Sequence, residues 1–287
     1  MGPIDQQAQK QTTPRSRTSN AQKAGVVLIL SGFILLGDLY FKTSWLSLAV
    51  LPALGLFLLA ESLALQVSTW VVPGALTFGA GIGSFLAFST QLNLNLWQRS
   101  GSFLLAFGLS WFVITLLSLR LFETPAWWAM IPGSLLSTTG FTLMQEPIHP
   151  LAFVLYVGGG LGLALLAWGL ASKLFGLIIP GCLLIGIGPG IYGAWAAPSE
   201  PNGLVQTGVM LVSFALGWGL ITLFSRRVTH NFVWWPLIPG GILSMVGWGL
   251  YIGGNPGNAV YFIGNTGSVG LILFGIYLLL LRKGIHH

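Results

Sequence analysis

The sequence predicts an all-α fold: a polytopic transmembrane helical bundle of ten helices, built as five parallel helix hairpins. Three observations predict it. The 287 residues include only 12 basic and 6 acidic side chains, 6% of the chain, against roughly 25% in a soluble domain. The mean hydropathy is +0.82, and 54% of the residues are apolar. Short polar breaks cut this apolar sequence into runs of the roughly 20 residues that a helix needs to cross a bilayer. So few charges cannot cover a water-exposed surface. That excludes an ordinary soluble enzyme, a disordered chain and a nucleic-acid-binding protein.

The elements follow in order. Residues 1–23 are polar, rich in Gln, Ser and Thr, and read as a disordered cytoplasmic tail. The polar stretch is long for a secretory signal peptide, and no small-x-small site follows the first apolar run. Gln6 stands where N-myristoylation requires Ser or Thr. Ten apolar runs then cover about 24–41, 45–66, 69–89, 99–121, 126–144, 150–172, 174–197, 203–225, 232–253 and 259–281. They form one transmembrane domain over 24–283, with hairpins at about 24–68, 69–122, 125–173, 174–227 and 231–283. The least polar breaks, near 67–68 and 172–175, are the two on which the count depends.

Charge placement checks the count independently. Ten spans with an internal N-terminus put Lys10, Arg15, Arg17, Lys23, Arg120, Lys173, Arg226, Arg227, Arg282 and Lys283 inside. Only Lys42 and Arg99, of 12 basic residues, fall outside. A ten-to-two split obeys the positive-inside rule and predicts both termini in the cytoplasm. The basic pI of 9.8 is therefore read as topology, not as affinity for nucleic acid.

A short pattern, Pro-Gly, six residues, Gly, recurs at the start of the odd-numbered helices. The copies are Pro73-Gly74-Gly81, Pro132-Gly133-Gly140, Pro180-Gly181-Gly188 and Pro239-Gly240-Gly247, with a degenerate one at Ala24-Gly25-Gly32. Proline is tolerated in a helix's first turn. A glycine seven residues on lies on the same face and reads as a position of close packing. A 107-residue internal duplication overlies this pattern. It superposes Pro73-Gly74 on Pro180-Gly181, Trp111 on Trp218, Ile114-Thr115 on Ile221-Thr222, Ser118 on Ser225, Arg120 on Arg227 and Trp127-Trp128 on Trp234-Trp235. The chain thus reads as a duplicated two-hairpin unit plus one hairpin. Each copy starts and ends on the same side, so the repeats are parallel, unlike the inverted repeats of many alternating-access transporters.

Few residues in the spans could carry chemistry. Asp38, near the outer end of helix 1, and Glu61, in the inner half of helix 2, are the intramembrane carboxylates. Both lie near an interface, and the repeat places Trp168 opposite Glu61, so a structural role outweighs ion coupling. His149, His230, His286 and His287 fall in loops or the tail, where they cannot hold a membrane haem, and no Cys/His cluster has metal spacing. Cys182 is the single cysteine and cannot form an intrachain disulfide. Gly186-Ile187-Gly188-Pro189-Gly190 lies in an apolar span without a following Lys-Ser/Thr, so it reads as helix packing, not a nucleotide loop. Trp127-Trp128 and Trp234-Trp235 read as an interfacial belt, while Trp111 and Trp218 sit deeper.

The first hairpin runs Gly25 to Gly32 and Asp38, breaks, then continues through Trp45, Leu51-Pro52 and Gly55. This resembles the helical hairpin of the LiaF-type transmembrane region and of other bacterial multi-hairpin membrane proteins. The Ile-Pro-Gly hairpins that follow are similar. The resemblance implies a bacterial inner-membrane protein of unknown activity. The LiaF-like soluble C-terminal domain is not expected here.

These readings predict a non-enzymatic integral protein of the inner membrane, without catalytic residue, cofactor or metal. It would act by packing against lipids, a membrane-protein partner or further copies of itself. The alternative is a transporter or channel for a small or lipophilic solute, which would need a polar cavity ringed by Thr115, Ser118, Thr222 and Ser225.

Overall fold

The computed structural model describes residues 15–41, 45–89, 92–196, 202–229 and 232–254. All the long elements among them are helices, because a backbone in lipid can satisfy its polar groups only within itself. They are α1 (Arg15–Phe41), α2 (Trp45–Leu65), α3 (Val71–Phe88), α4 (Leu96–Leu121), α5 (Met130–Met144), α6 (Pro150–Ala171), α7 (Phe175–Trp195), α8 (Gly203–Thr229) and α9 (Leu237–Gly254). Seven candidate spans among the described residues are long and apolar enough to cross a membrane. The chain is therefore a multi-pass helical membrane protein. The tenth predicted run, 259–281, lies outside the described residues.

Boundaries differ from expectation in several places; α4 begins at Leu96 and not at 99, and α8 runs to Thr229 and not to 225. The first helix begins at Arg15, so residues 15–23 are helical and not part of a disordered tail. This stretch holds no Pro or Gly, and α1 propagates through it from the apolar run that follows. The fifth run begins as a 3₁₀ turn, Trp127–Ala129, before the 15 residues of α5. The ninth helix begins at Leu237 and not at 232, directly after the fully buried Pro236.

Both of the least polar breaks are real. Gln66 and Lys173, 107 residues apart, each adopt φ 53°, the left-handed conformation that ends a helix. Val67 N–H then donates to Ser62 O at 3.1 Å, and Leu174 N–H to Gly169 O at 2.8 Å. These six-to-one bonds close the ends of α2 and α6. A residue with a Cβ is strained there, so Gln66→Gly and Lys173→Gly are expected to raise stability by about 0.5–1 kcal/mol. Thermal unfolding in detergent checks this; a lowered midpoint for both would contradict the assignment.

Packing runs along the chain. Each helix packs on the one before it and the one after it, from α1 on α2 to α8 on α9; beyond this, α6 also touches α8. The described helices thus form a sequential array, with no core shared by all of them. Two apolar clusters result. One centres on Leu59, Ala75 and Ile114, the other on Leu166, Cys182 and Ile221, each 107 residues further on.

The Pro-Gly-x6-Gly motifs set these contacts. Gly74 and Gly81 of α3 face Leu58 and Leu51-Pro52 of α2, and Gly133 and Gly140 of α5 face Trp111 and Gly101 of α4. Gly181 and Gly188 of α7 face Leu166 and Val154 of α6, and Gly240 and Gly247 of α9 face Trp218 and Gly208 of α8. In every copy an odd-numbered helix presents both glycines to the helix before it. Gly25 and Gly32, the degenerate copy, have nothing within 4 Å among the described residues. Pro73, Pro132 and Pro239 lie in the first turn of α3, α5 and α9. Pro180 departs from the expectation and lies inside α7, as Pro189 does. The preceding turn, a separate 3₁₀ segment Ser68–Trp70 before α3, is continuous with the helix in α7.

Candidate functional site

The polar side chains of the spans are used locally. Ser118 is fully buried; its Oγ donates to Thr115 O at 2.7 Å and accepts from Ala126 N–H at 2.8 Å. Ser225 donates to Thr222 O at 2.7 Å and accepts from Val233 N–H at 3.3 Å. Thr115 Oγ1 donates to Trp111 O at 3.3 Å. These groups fasten the end of α4 or α8 to the segment that follows it. They do not line a common cavity between two halves, because α4 and α8 are not a packed pair.

A second fastening lies at the other end of the same helices. Asn95 caps α4 by accepting from Gln98 N–H at 2.8 Å, and its Nδ2 donates to Glu146 Oε1 just beyond α5. Asn202, 107 residues further on, donates from Nδ2 to Gly254 O at 2.7 Å, tying the start of α8 to the end of α9. In sequence Asn95 and Asn202 read only as polar breaks. Their shared position in the register was the available signal.

The tryptophans pair across the same register. Trp111 and Trp128 meet edge to face with centroids 5.7 Å apart, and Trp218 and Trp235 do so at 5.8 Å. Trp128 and Trp235 are exposed, in keeping with an interfacial position. The indole nitrogens of Trp111 and Trp218 are buried with no hydrogen-bond partner among the described residues.

The two carboxylates do not form a site together. Asp38 is buried, three residues from the end of α1. Glu61 is half-buried in the second half of α2, about 24 Å along the axis from the start of that helix at 1.5 Å per residue. His149 packs against Tyr192 at 6.3 Å, and the other three histidines lie outside the described residues. No group of three His, Cys, Asp or Glu side chains converges among the described residues. Cys182 is fully buried in α7. It is expected to resist maleimide in native detergent and to react fully after denaturation in SDS; labelling at equal rates would place it on the surface.

Among the described residues an apolar, partly open cavity of about 330 Å³ lies between α8 and α9. Gly208, Val212, Ser213 and Leu216 of α8 and Trp248 and Tyr251 of α9 line it. Of the two hydroxyl-bearing residues in this lining, Ser213 and Tyr251, Ser213 donates from Oγ to Gly186 O at 2.8 Å. Glu61 is not part of this lining. No known protein family matches the chain, and neither a curated protein nor a solved structure matches it.

Proposed function

We propose that the chain is a non-enzymatic scaffold of a bacterial inner membrane, with ten spans, both termini cytoplasmic, that works by packing against lipids or membrane partners. The observation that carries this reading is how the spans use their polar and small residues. The buried Ser118 and Ser225 hydroxyls bond to their own helix and the segment after it, and the motif glycines meet the neighbouring helix. Such a chain has its chemistry directed at holding helices together. The LiaF-type resemblance of the first hairpin agrees with this assignment. The duplication is supported by contacts that recur in its register: Gly55 on Phe78 and Gly162 on Ile185, Gly79 on Ser110 and Gly186 on Gly217. The tryptophan pairs recur likewise.

The reading has a direct test. Purified protein is titrated with phospholipids and, separately, with a panel of lipophilic solutes, and the melting midpoint is followed. Stabilisation by lipid alone is expected. The α8–α9 cavity is the feature that would favour the solute carrier instead, and saturable solute flux in proteoliposomes would establish that alternative. Topology is tested by Lys42→Cys and Arg227→Cys, each in a Cys182→Ala background. Impermeant maleimide should label them from opposite sides of the membrane, and labelling of both from one side refutes the ten-span arrangement.

A further inference from the structure

One end of the α7–α8 pair gathers cations. A Cβ on Gly217 would meet Cys182, one on Gly190 would meet Ser213, and one on Gly193 would lie nearest Val209. The two helices are therefore antiparallel. Carried to their ends, this register brings Lys173, in the turn before α7, level with Arg226 and Arg227 in the last turn of α8. Phe175 and Val228, close to these residues in sequence, belong to one apolar cluster. The Arg226 guanidinium lies over the Phe232 ring, 4.9 Å from its centroid. Trp234 and Trp235 follow and are exposed, in keeping with headgroup depth.

The corresponding end of α3 and α4 is not basic. Gly79 on Ser110 and Gly83 on Phe103 give those helices the same antiparallel register. Gln66 stands 107 residues before Lys173, and Leu119 stands 107 before Arg226. Arg120, the counterpart of Arg227, has Glu123 three residues on and Glu61 in the last turns of α2. No acidic residue follows Glu146 except Glu200, in the connection from α7 to α8 and so at the far end of both. A topology signal asks for positive charge on one side of the membrane, not for its concentration in one place. Like charges gathered together repel, and a shared anion relieves the repulsion. The anion that a membrane supplies at headgroup depth is a phospholipid phosphate.

We infer that Lys173, Arg226 and Arg227 hold the headgroup of an anionic phospholipid, in the leaflet that the α6–α7 turn reaches. The inference deepens the lipid-packing reading above, on which it rests, by naming the class of lipid and the place it binds. It depends neither on which side of the membrane this leaflet faces nor on the total number of spans.

Native mass spectrometry of the full-length protein in neutral detergent tests it, with phosphatidylglycerol and phosphatidylcholine as the probes. The parent should retain phosphatidylglycerol in preference. Lys173→Gln with Arg226→Leu installs the residues found 107 positions earlier and should bind it roughly tenfold more weakly. Arg99→Gln with Arg120→Gln removes as much charge elsewhere and should bind it as the parent does. Equal weakening in both double variants would reduce the effect to net charge and overturn the inference. So would a parent without preference, or unchanged binding in Lys173→Gln with Arg226→Leu. Should that pair not fold, Lys173→Gln and Arg226→Leu are measured singly, each with a several-fold loss expected and parental binding by both overturning the inference. Soluble glycerol phosphate in excess should not displace the lipid; displacement would assign the site to free phosphate and overturn the lipid. Stabilisation by both lipids alike defeats this inference alone, whereas saturable solute flux in proteoliposomes defeats the reading beneath it.

Discussion

Gly140→Ala is expected to destabilise the protein by about 1–3 kcal/mol, the usual cost of forcing extra volume into a packed contact. A methyl at Gly140 would overlap the Leu105 backbone and stand 2.6 Å from Gly101 O. Both obstacles are main-chain atoms, so no rotamer change relieves them and α4 and α5 must separate. Gly81→Ala meets the same obstacle, because the added methyl would overlap the backbone of Pro52 in α2. Gly219→Ala is the control. Among the described residues nothing lies within 4 Å of that site, and alanine is favoured over glycine in a helix by roughly 0.5–1 kcal/mol. Melting followed by size exclusion in detergent should show Gly140→Ala and Gly81→Ala well below the parent, with Gly219→Ala level or above. Equal midpoints for all three would mean that the Pro-Gly-x6-Gly motif is not a packing device.

Ser118→Ala is the second large effect. The hydroxyl accepts from Ala126 N–H at 2.8 Å in a fully buried position. Removing it leaves that N–H without an acceptor, at about 1–3 kcal/mol. Apolar surroundings offer no water to replace the bond. Ser225 is as deeply buried, but Ser225→Ala removes a longer contact, 3.3 Å from Val233 N–H, and should cost less. Ser100 is exposed and its hydroxyl only bonds back to Leu96 O, so Ser100→Ala should be near neutral. The ranking Ser118 above Ser225 above Ser100 is the measurable outcome. A Ser118→Ala variant as stable as Ser100→Ala would remove the fastening role assigned to this pair.

Much of the fold is legible in the sequence because the bilayer imposes it. Run length and polar breaks place the ends of α2 and α6 and the start of α8 within a residue or two. A 107-residue offset in the sequence pairs Ser118 with Ser225 and Trp111 with Trp218 without any knowledge of their contacts. Other features are hidden for physical reasons. Lipid-facing and partner-facing positions are both apolar, so Leu216, exposed, and Ile221, fully buried, look alike in sequence. Helix order in space is therefore illegible, and a bundle is the natural expectation where the structure has a sequential array. The tryptophan pairs are equally hidden, since a belt residue and its deeper partner, Trp128 and Trp111, stand on different elements and share no local pattern. Nor does Lys173 announce itself as a left-handed helix terminator, a role more often given to glycine.

The neighbour-by-neighbour packing has a consequence for how such a chain can grow. A shared core fixes the number of pieces that fit around it. Here every hairpin is supported by the one beside it, so stability accumulates as a series of similar joints. A whole hairpin can be gained or lost at one end without redesigning the rest, and each can settle against its predecessor as it leaves the ribosome. Length in such an array is not set by closure, as it is for helices arranged around a common centre.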